Sequence, residues 1–287
     1  MIKSLKEKRK KIVIGYSNND FNTYFHKSLL DGMKYSIILL VCLFNTIFAL
    51  AQKTQVLDSS LFECHYNCIQ NNDNDLFVLR CGKNVSQFYS YYYNQFDSLL
   101  ENDNTGMLSL EDKYAREHPD DKSLPLNKNS TLYEEYLYYN WPTKGKLAMF
   151  TQVFSSMYRI DEDIPNIQWT LISDSIKNII GYKCQMAKTT FRGRNWYAWY
   201  TLDIPVSMGP WKLSGLPGLI IEAYDDKNYV RFIAVSLIQH GICPVMFLNY
   251  LDHKYQKITR EQYLKAKKSV RYPSNTKITF PQYIELN

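Results

Sequence analysis

Three things are scarce in this 287-residue chain: long apolar runs, a sustained excess of one charge sign, and linker-like Gly/Pro/Ser stretches. Each shortage removes a class of protein. Of the 34 Lys/Arg and 28 Asp/Glu, eight and three fall within residues 1–51, which leaves 26 basic against 25 acidic side chains in residues 52–287. That near-neutral body lacks the clustered Lys/Arg that sequence-independent phosphate binding requires, so nucleic acid is not an expected partner. The apolar stretch 35–51 falls short of the roughly 20 residues that cross a bilayer and is interrupted by Asn45 and Thr46. No repeat and no Gly-, Pro- or Ser-rich segment divides residues 52–287, which argues for one domain around one core. Charged residues at 22% and apolar residues at 45% exclude extended disorder, collagen and a polytopic membrane protein. Catalytic signatures are also missing, with no G-x-S-x-G elbow and no H-E-x-x-H pair. In the body, Asp161-Glu162-Asp163, Asp203, His65, His118, His240 and His253 are the raw material for acid–base work, and none has a recognisable spacing. The reading leans against an enzyme, and no cofactor is expected.

What is present begins with an export signal. Lys34 supplies a positive n-region, about a dozen apolar residues follow as an h-region, and Ala49-Leu50-Ala51 before Gln52 offers the small side chains that a signal peptidase needs. The expected organisation is a signal peptide over 33–51 and a single β-rich domain over 52–287. Residues 1–32, with Lys8-Arg9-Lys10-Lys11, are expected to be either an untranslated or disordered extension ahead of a start at Met33, or a cytoplasmic arm whose positive charge holds an uncleaved anchor. The protein is expected in the periplasm or at the outer-membrane periphery, touching a membrane at most through its N-terminal segment.

Export places the body in an oxidising compartment, where cysteines tend to pair. Cys64, Cys68, Cys81, Cys184 and Cys243 remain after the leader, an odd number, and a disulfide among Cys64, Cys68 and Cys81 is the first expectation. Cys64-His65-Tyr66-Asn67-Cys68 with Cys81 also offers three sulfurs and an imidazole, although the spacing is not a zinc signature.

The body reads as mainly β: a single curved antiparallel sheet, half-barrel-like or two-layered, with a few peripheral helices. Strands are expected near 75–81, 136–139, 147–154, 169–172, 180–191, 196–202, 219–224 and 229–238, where β-branched and aromatic residues concentrate between recurring turn signals. Arg192-Gly193-Arg194-Asn195 and Asp225-Asp226-Lys227-Asn228 read as hairpins. Trp196-Tyr197-Ala198-Trp199-Tyr200 and the strand after Tyr229 are apolar on both faces, which implies cover on both sides of the sheet. A short helix is expected around 96–100, and residues 101–131, rich in Asn, Asp and Lys, read as a long surface insertion. Thr259-Arg260-Glu261-Gln262 has the form of a capping box ahead of a helix over 260–269.

The most distinctive stretch is Gly209-Pro210-Trp211-Lys212-Leu213-Ser214-Gly215-Leu216-Pro217-Gly218-Leu219-Ile220, in which Pro217 and Gly218 suit the centre of a type II turn. Residues 215–220 spell the motif of the GLPGLI family of exported bacterial proteins, and the chain resembles that family further through Ile180-Gly181-Tyr182-Lys183-Cys184-Gln185, Phe191-Arg192-Gly193-Arg194, Trp199-Tyr200, Ile204-Pro205 and Gly209-Pro210-Trp211. The resemblance implies a signal peptide and a β-rich envelope protein, and it supplies no activity and no catalytic residues. The expected function is binding of an apolar ligand or an envelope protein partner through an aromatic-rich sheet, with an interaction module of an outer-membrane assembly as the alternative. Arg192, Arg194, Trp196, Trp199, Tyr200 and Trp211 are the candidate surface, and Gly215, Leu216, Pro217 and Gly218 the candidate structural turn. Arg192 and Arg194 are placed either to clamp a carboxylate or to pair internally with Asp203 or Glu222.

Overall fold

A computed structural model describes residues 54–70, 73–102, 112, 116, 134–269 and 284–286. The expected export signal at 33–51, the extension before it and most of the expected insertion at 101–131 lie outside the described residues. In chain order the elements are β1 Thr54–Asp58, β2 Ser60–Gln70, β3 Asp73–Gly82, β4 Ser86–Ser90, α1 Tyr91–Asn102, β5 Glu135–Tyr139, β6 Lys146–Val153, β7 Ser156–Asp163, β8 Thr170–Ile179, β9 Tyr182–Phe191, β10 Arg194–Thr201, β11 Leu219–Asp225, β12 Val230–Ile238, β13 Val245–Leu248, β14 Gln256–Ile258 and α2 Arg260–Ser269.

Twelve strands form one open sheet in the order β14-β7-β6-β5-β4-β3-β2-β12-β11-β10-β9-β8. Two meanders compose it, β2 to β7 and β8 to β12, joined where β12 pairs with β2. The fold is mainly β as expected, with two corrections. The sheet is mixed, because β14 runs parallel to β7. It is also not alone, because β1 and β13 form a separate two-stranded sheet. The reason for the second sheet lies in the pleat. On β3 to β6 the face that carries Val78, Tyr89, Tyr136, Tyr138, Ala148 and Phe150 is as apolar as the opposite one, and these residues form a buried cluster that packs against Leu57, Met246 and Phe247. Tyr138 fixes the cover by accepting a hydrogen bond from the Leu248 amide at 2.9 Å.

The twelve-stranded sheet curls. β7 and β9 stand nine positions apart, about 43 Å in a flat sheet at the usual strand spacing, yet Arg192, in the turn after β9, reaches Glu162 of β7 at 2.5 Å. The two ends therefore meet through side chains, while the strand ladder stays open. The concave face holds the main core. Phe77 and Phe88 stack at 5.0 Å, with Phe232 edge-on to both at 5.9 and 6.2 Å. The connection 202–218 between β10 and β11 fills the remaining space, and its Trp211, Leu213 and Leu216 are buried.

Local chemistry explains the element ends. Arg192 and Gly193 both take positive φ, 52° and 77°, as a two-residue type I′ hairpin requires. Ile180 and Gly181, at 44° and 89°, do the same between β8 and β9, so the strand expected from Ile180 starts at Tyr182. Helix α1 begins earlier than expected because Ser90 caps it, its hydroxyl accepting the Tyr93 amide at 3.2 Å and donating to Asp75 at 2.9 Å. Helix α2 spans the expected residues, and its capping box is reciprocal: Thr259 Oγ1 accepts the Gln262 amide at 3.2 Å, and Gln262 Oε1 accepts the Thr259 amide at 2.8 Å.

One buried acid makes the fold pH-sensitive. Asp97 on α1 accepts a hydrogen bond from Tyr136 at 2.8 Å. Burial pushes its carboxyl from 3.8 up to about 6, the Tyr136 hydrogen bond opposing this and Glu134 adding to it. A carboxyl whose folded value is raised holds its proton more tightly when folded, so its stabilising contribution is complete below about pH 4 and is lost as pH rises through about 6. Asp97→Asn is therefore expected to stabilise the protein by about 2 kcal/mol at pH 8 and to change little at pH 4. Urea unfolding of both proteins at the two pH values checks this, and an equal gain at both would contradict the assignment.

Candidate functional site

The connection 202–218 is what carries chemistry into the concave face. It is held at both ends, by Leu219 N donating to Ile204 O at 3.0 Å and Ile220 N donating to Met208 O at 2.9 Å. Gly218 permits this because its backbone packs directly on β10, where a Cβ would lie 1.9 Å from the Thr201 carbonyl oxygen. Gly218 lacks positive φ and Gly215 has φ 98°, so the type II turn expected at Pro217 and Gly218 is not formed. The motif divides its needs: Gly215 supplies the unusual backbone angle, Leu216 is buried, Pro217 is exposed, and Gly218 supplies the space. Trp169 ties the loop down by donating its indole N–H to the Ser214 carbonyl at 2.8 Å.

This loop delivers Lys212, which is 0% exposed, to the seam where the sheet ends meet. Its Nζ lies 2.6 Å from Glu162 Oε1 and 3.1 Å from Glu285 Oε2. Arg192 contacts the same two carboxylates, at 2.5 Å to Glu162 and 3.4 Å to Glu285, and Arg260 at the start of α2 pairs with Glu285. Three cations thus share two carboxylates, one built into the sheet and one brought by residues 284–286. Two buried donors of the group are incompletely satisfied: Arg192 Nε faces Glu285 only at the long 3.4 Å, and Arg260 Nη2 makes no hydrogen bond among the described residues. Next to them Glu135 binds Tyr263 at 2.7 Å and Lys267 at 3.0 Å. Burial works to raise its pKa, but Lys267, Tyr263 and Lys212 outweigh burial and hold the carboxyl below its ordinary value.

Residues 284–286 sit in this cradle as a ligand would. The Leu286 amide donates to the Arg192 carbonyl at 3.1 Å, and Arg194 Nε donates to the Ile284 carbonyl at 2.8 Å. Ile284 is buried against Phe77, Phe88, Leu137, Trp211 and Phe232. The gaps on its two sides are about 10 Å³ each, no more than one water molecule apiece.

The candidate surface residues fall into three groups. Arg192 and Arg194 reach the cradle, where Arg192 pairs with Glu162 and Arg194 with buried Asp225 at 2.7 Å, while Glu222 takes Lys177 and Arg231. Trp196 and Trp211 are buried and stack at 5.9 Å beneath it. Trp199 and Tyr200 lie away from it: Trp199 is half-buried under Lys177 Nζ at 5.5 Å, and buried Tyr200 donates to Gln185 at 2.8 Å. Lys212, Arg260, Ile284 and Glu285 are not among the residues expected at a site, and Glu162 is expected only as raw material for acid–base work. A lysine inside the apolar run Pro210-Trp211-Lys212-Leu213 was the one available signal, since a charge there is stable only when paired.

The cysteines stand apart from the cradle. Cys64, Cys68, Cys81 and Cys184 are buried free thiols and Cys243 is an exposed one. The expected disulfide is not made in the structure, and the register gives the reason. Cys64 and Cys68 share one strand four residues apart, about 13 Å. Cys81 opposes Phe62 while Cys64 opposes Leu79, a diagonal relation of about 7–8 Å that exceeds ordinary bridging distance. Burial pushes the Cys64 and Cys81 thiols up to about 12, which keeps them protonated and poor nucleophiles. Among the described residues no group of three or more His, Cys, Asp or Glu is placed to hold a metal ion. His65 instead lies 2.5 Å from Glu63, which Arg80 holds at 2.6 Å.

A family model described as a protein of unknown function (Porph_ging) matches residues 191–222, the span that contains the Arg192 hairpin, β10 and the whole Lys212 loop. A comparison with curated proteins gives no match. Among solved structures, two crystal forms of PNGF-II are similar at 12% identity and TM-score 0.47, covering 72% and 74% of this chain and 32% and 34% of theirs. A crystal structure of MucB is similar at 9% identity and TM-score 0.30, covering 69% of this chain and 58% of that one. The chain thus spans about a third of the length of the PNGF-II chains. Likenesses this remote carry no argument about activity.

Proposed function

We propose that this is an exported envelope protein of the GLPGLI type that works as a binding module, and that it takes a polypeptide segment of a protein partner rather than a free apolar ligand. One observation carries the reading: the cradle already engages a short stretch of chain by its main-chain amide, its carbonyl, an apolar side chain and a carboxylate together. Main-chain recognition of that kind suits peptides and has no counterpart in a lipid tail. The aromatic residues beneath it form the floor. Around Ile284 the gaps are of single-water size, and the larger cleft beside Trp196, about 370 Å³, is lined mostly by polar side chains such as Gln168, Thr170, Lys188 and Asn195, which supports the protein-partner reading over the apolar-carrier one.

Native mass spectrometry of the protein isolated from cell envelopes tests this reading. The expected result is a co-purifying polypeptide that is lost in Arg192→Ala while the near-ultraviolet dichroism of the stacked Trp196 and Trp211 is kept. A co-purifying lipid, or a polypeptide retained by the variant, would overturn it.

A further inference from the structure

We infer that residues 284–286 are an internal stand-in for the partner, so that the cradle selects peptide segments with an apolar residue followed by an acidic one, and the chain's own copy competes for it. The inference rests on the binding-module reading and adds both the chemistry of the partner and the regulation of the site.

Three features define the chemistry. The socket made by Phe77, Phe88, Leu137, Trp211 and Phe232 takes a side chain the size of Ile284; the one carboxylate on its wall, Glu135, is already held by Tyr263 and Lys267, so a charged side chain entering there would be stripped of water without a free partner. One residue later, Lys212, Arg192 and Arg260 converge on a carboxylate. Without the Glu285 carboxylate, Lys212 and Arg192 would be left with Glu162 and Arg260 would lose the carboxylate it pairs with, so the position requires an acid. The residue after that contributes its amide to the Arg192 carbonyl, while its side chain, Leu286 here, stays largely exposed.

Two further features make the internal occupant replaceable. Among the described residues, its main chain is held by hydrogen bonds to Arg192 and Arg194, and residues 284–286 lie in none of the described strands. It also holds Arg192 Nε only at 3.4 Å from Glu285 and leaves Arg260 Nη2 without a hydrogen bond among the described residues. A partner carboxylate that approaches as a two-oxygen fork can shorten the Arg192 Nε contact and reach Arg260 Nη2, and such fork geometry is the strong form of the arginine–carboxylate contact. The external segment then gains what it needs to displace a covalently tethered competitor.

The test uses the full chain and a fluorescent hexapeptide with the sequence of residues 282–287. Full-length Ile284→Ala/Glu285→Gln is expected to bind the hexapeptide at least about tenfold more tightly than the wild type, because its own competitor is weakened. Adding Arg192→Ala to that chain abolishes the binding, and a hexapeptide with Gln for Glu fails to bind. Equal affinity for wild type and double variant, or equal binding of the Gln peptide, would overturn the inference. A wild-type dimer that Glu285→Gln dissociates would also overturn it, because the natural occupant would then be a second copy of this chain. Should the double variant not fold, hydrogen exchange on the wild type decides: excess hexapeptide is expected to expose the Leu286 amide, and unchanged protection overturns the inference. Envelope capture through Arg192 without any hexapeptide competition would sink this inference and leave the binding-module reading standing.

Discussion

Gly218→Ala is expected to cost about 3 kcal/mol or more, the upper range for forcing extra volume into a packed interior. The added Cβ would lie 1.9 Å from the Thr201 carbonyl oxygen and 2.7 Å from its carbon. Both are backbone atoms, so no rotamer change relieves the clash. Thr201 pairs with Leu219 at the end of the β10–β11 ladder, and the loop that carries Lys212 inward leaves from that point. Relief therefore requires the two strands to separate where the concave core is plugged. Gly215→Ala is the internal control. There a Cβ finds nothing nearer than 3.5 Å, and the cost is the positive φ alone, about 1–2 kcal/mol. Urea midpoints of the two variants should differ accordingly, and a larger loss at Gly215 would mean that the loop does not pack on β10 as described.

Lys212→Met is expected to destabilise by about 3 kcal/mol, the lower end of the range for breaking a buried ion pair by removing one partner. The lower end applies because Glu162 keeps Arg192, and Glu285 keeps Arg192 and Arg260. The pair of Lys146 with Asp163 makes the contrast. It is as short, 2.6 Å, but its side chains are 45% and 83% exposed. Lys146→Met is expected to cost at most about 1 kcal/mol and to lose even that in 1 M salt. The Lys212 effect should survive the salt, because solvent ions do not reach a fully buried ammonium. Thermal melts of both variants at low and high salt check the pair of expectations, and a salt-sensitive Lys212 effect would place that side chain at the surface.

How much of this was legible follows from the range of the interactions. Elements specified locally were readable: the type I′ hairpin at Arg192 and Gly193, the capping box at Thr259 and Gln262, the aromatic strands β5 and β10, and β12 with its β-branched Val230, Ile233, Val235 and Ile238. β2 was hidden by its chemistry. Phe62, Cys64, Tyr66 and Cys68 alternate with Glu63, His65 and Asn67, and a period-two strand emerges as soon as cysteine counts as an apolar residue. β7 was hidden by its charge, since Asp161, Glu162 and Asp163 resemble a solvated loop until Arg159, Lys212 and Lys146 are seen to neutralise them. β1, β13 and β14 have five, four and three residues, too few for a pattern to register. The cradle was the least legible part. It joins a strand near residue 160, a hairpin near 192, a loop near 212, a helix start at 260 and a segment at 284, and only the curl of the sheet brings them together. No local pattern encodes which of 28 acids answers which of 34 bases.

The central claim is that Glu285 completes the charge of the cradle, and a double-mutant cycle between Lys212 and Glu285 tests it most directly. Lys212→Met, Glu285→Gln and the double variant are compared with the wild type by urea unfolding. The expected result is strong non-additivity, the double variant losing at least about 1 kcal/mol less than the sum of the single losses, as for groups in direct contact. Additive losses would contradict the account, because they would mean that the two groups do not meet and that residues 284–286 do not occupy the seam.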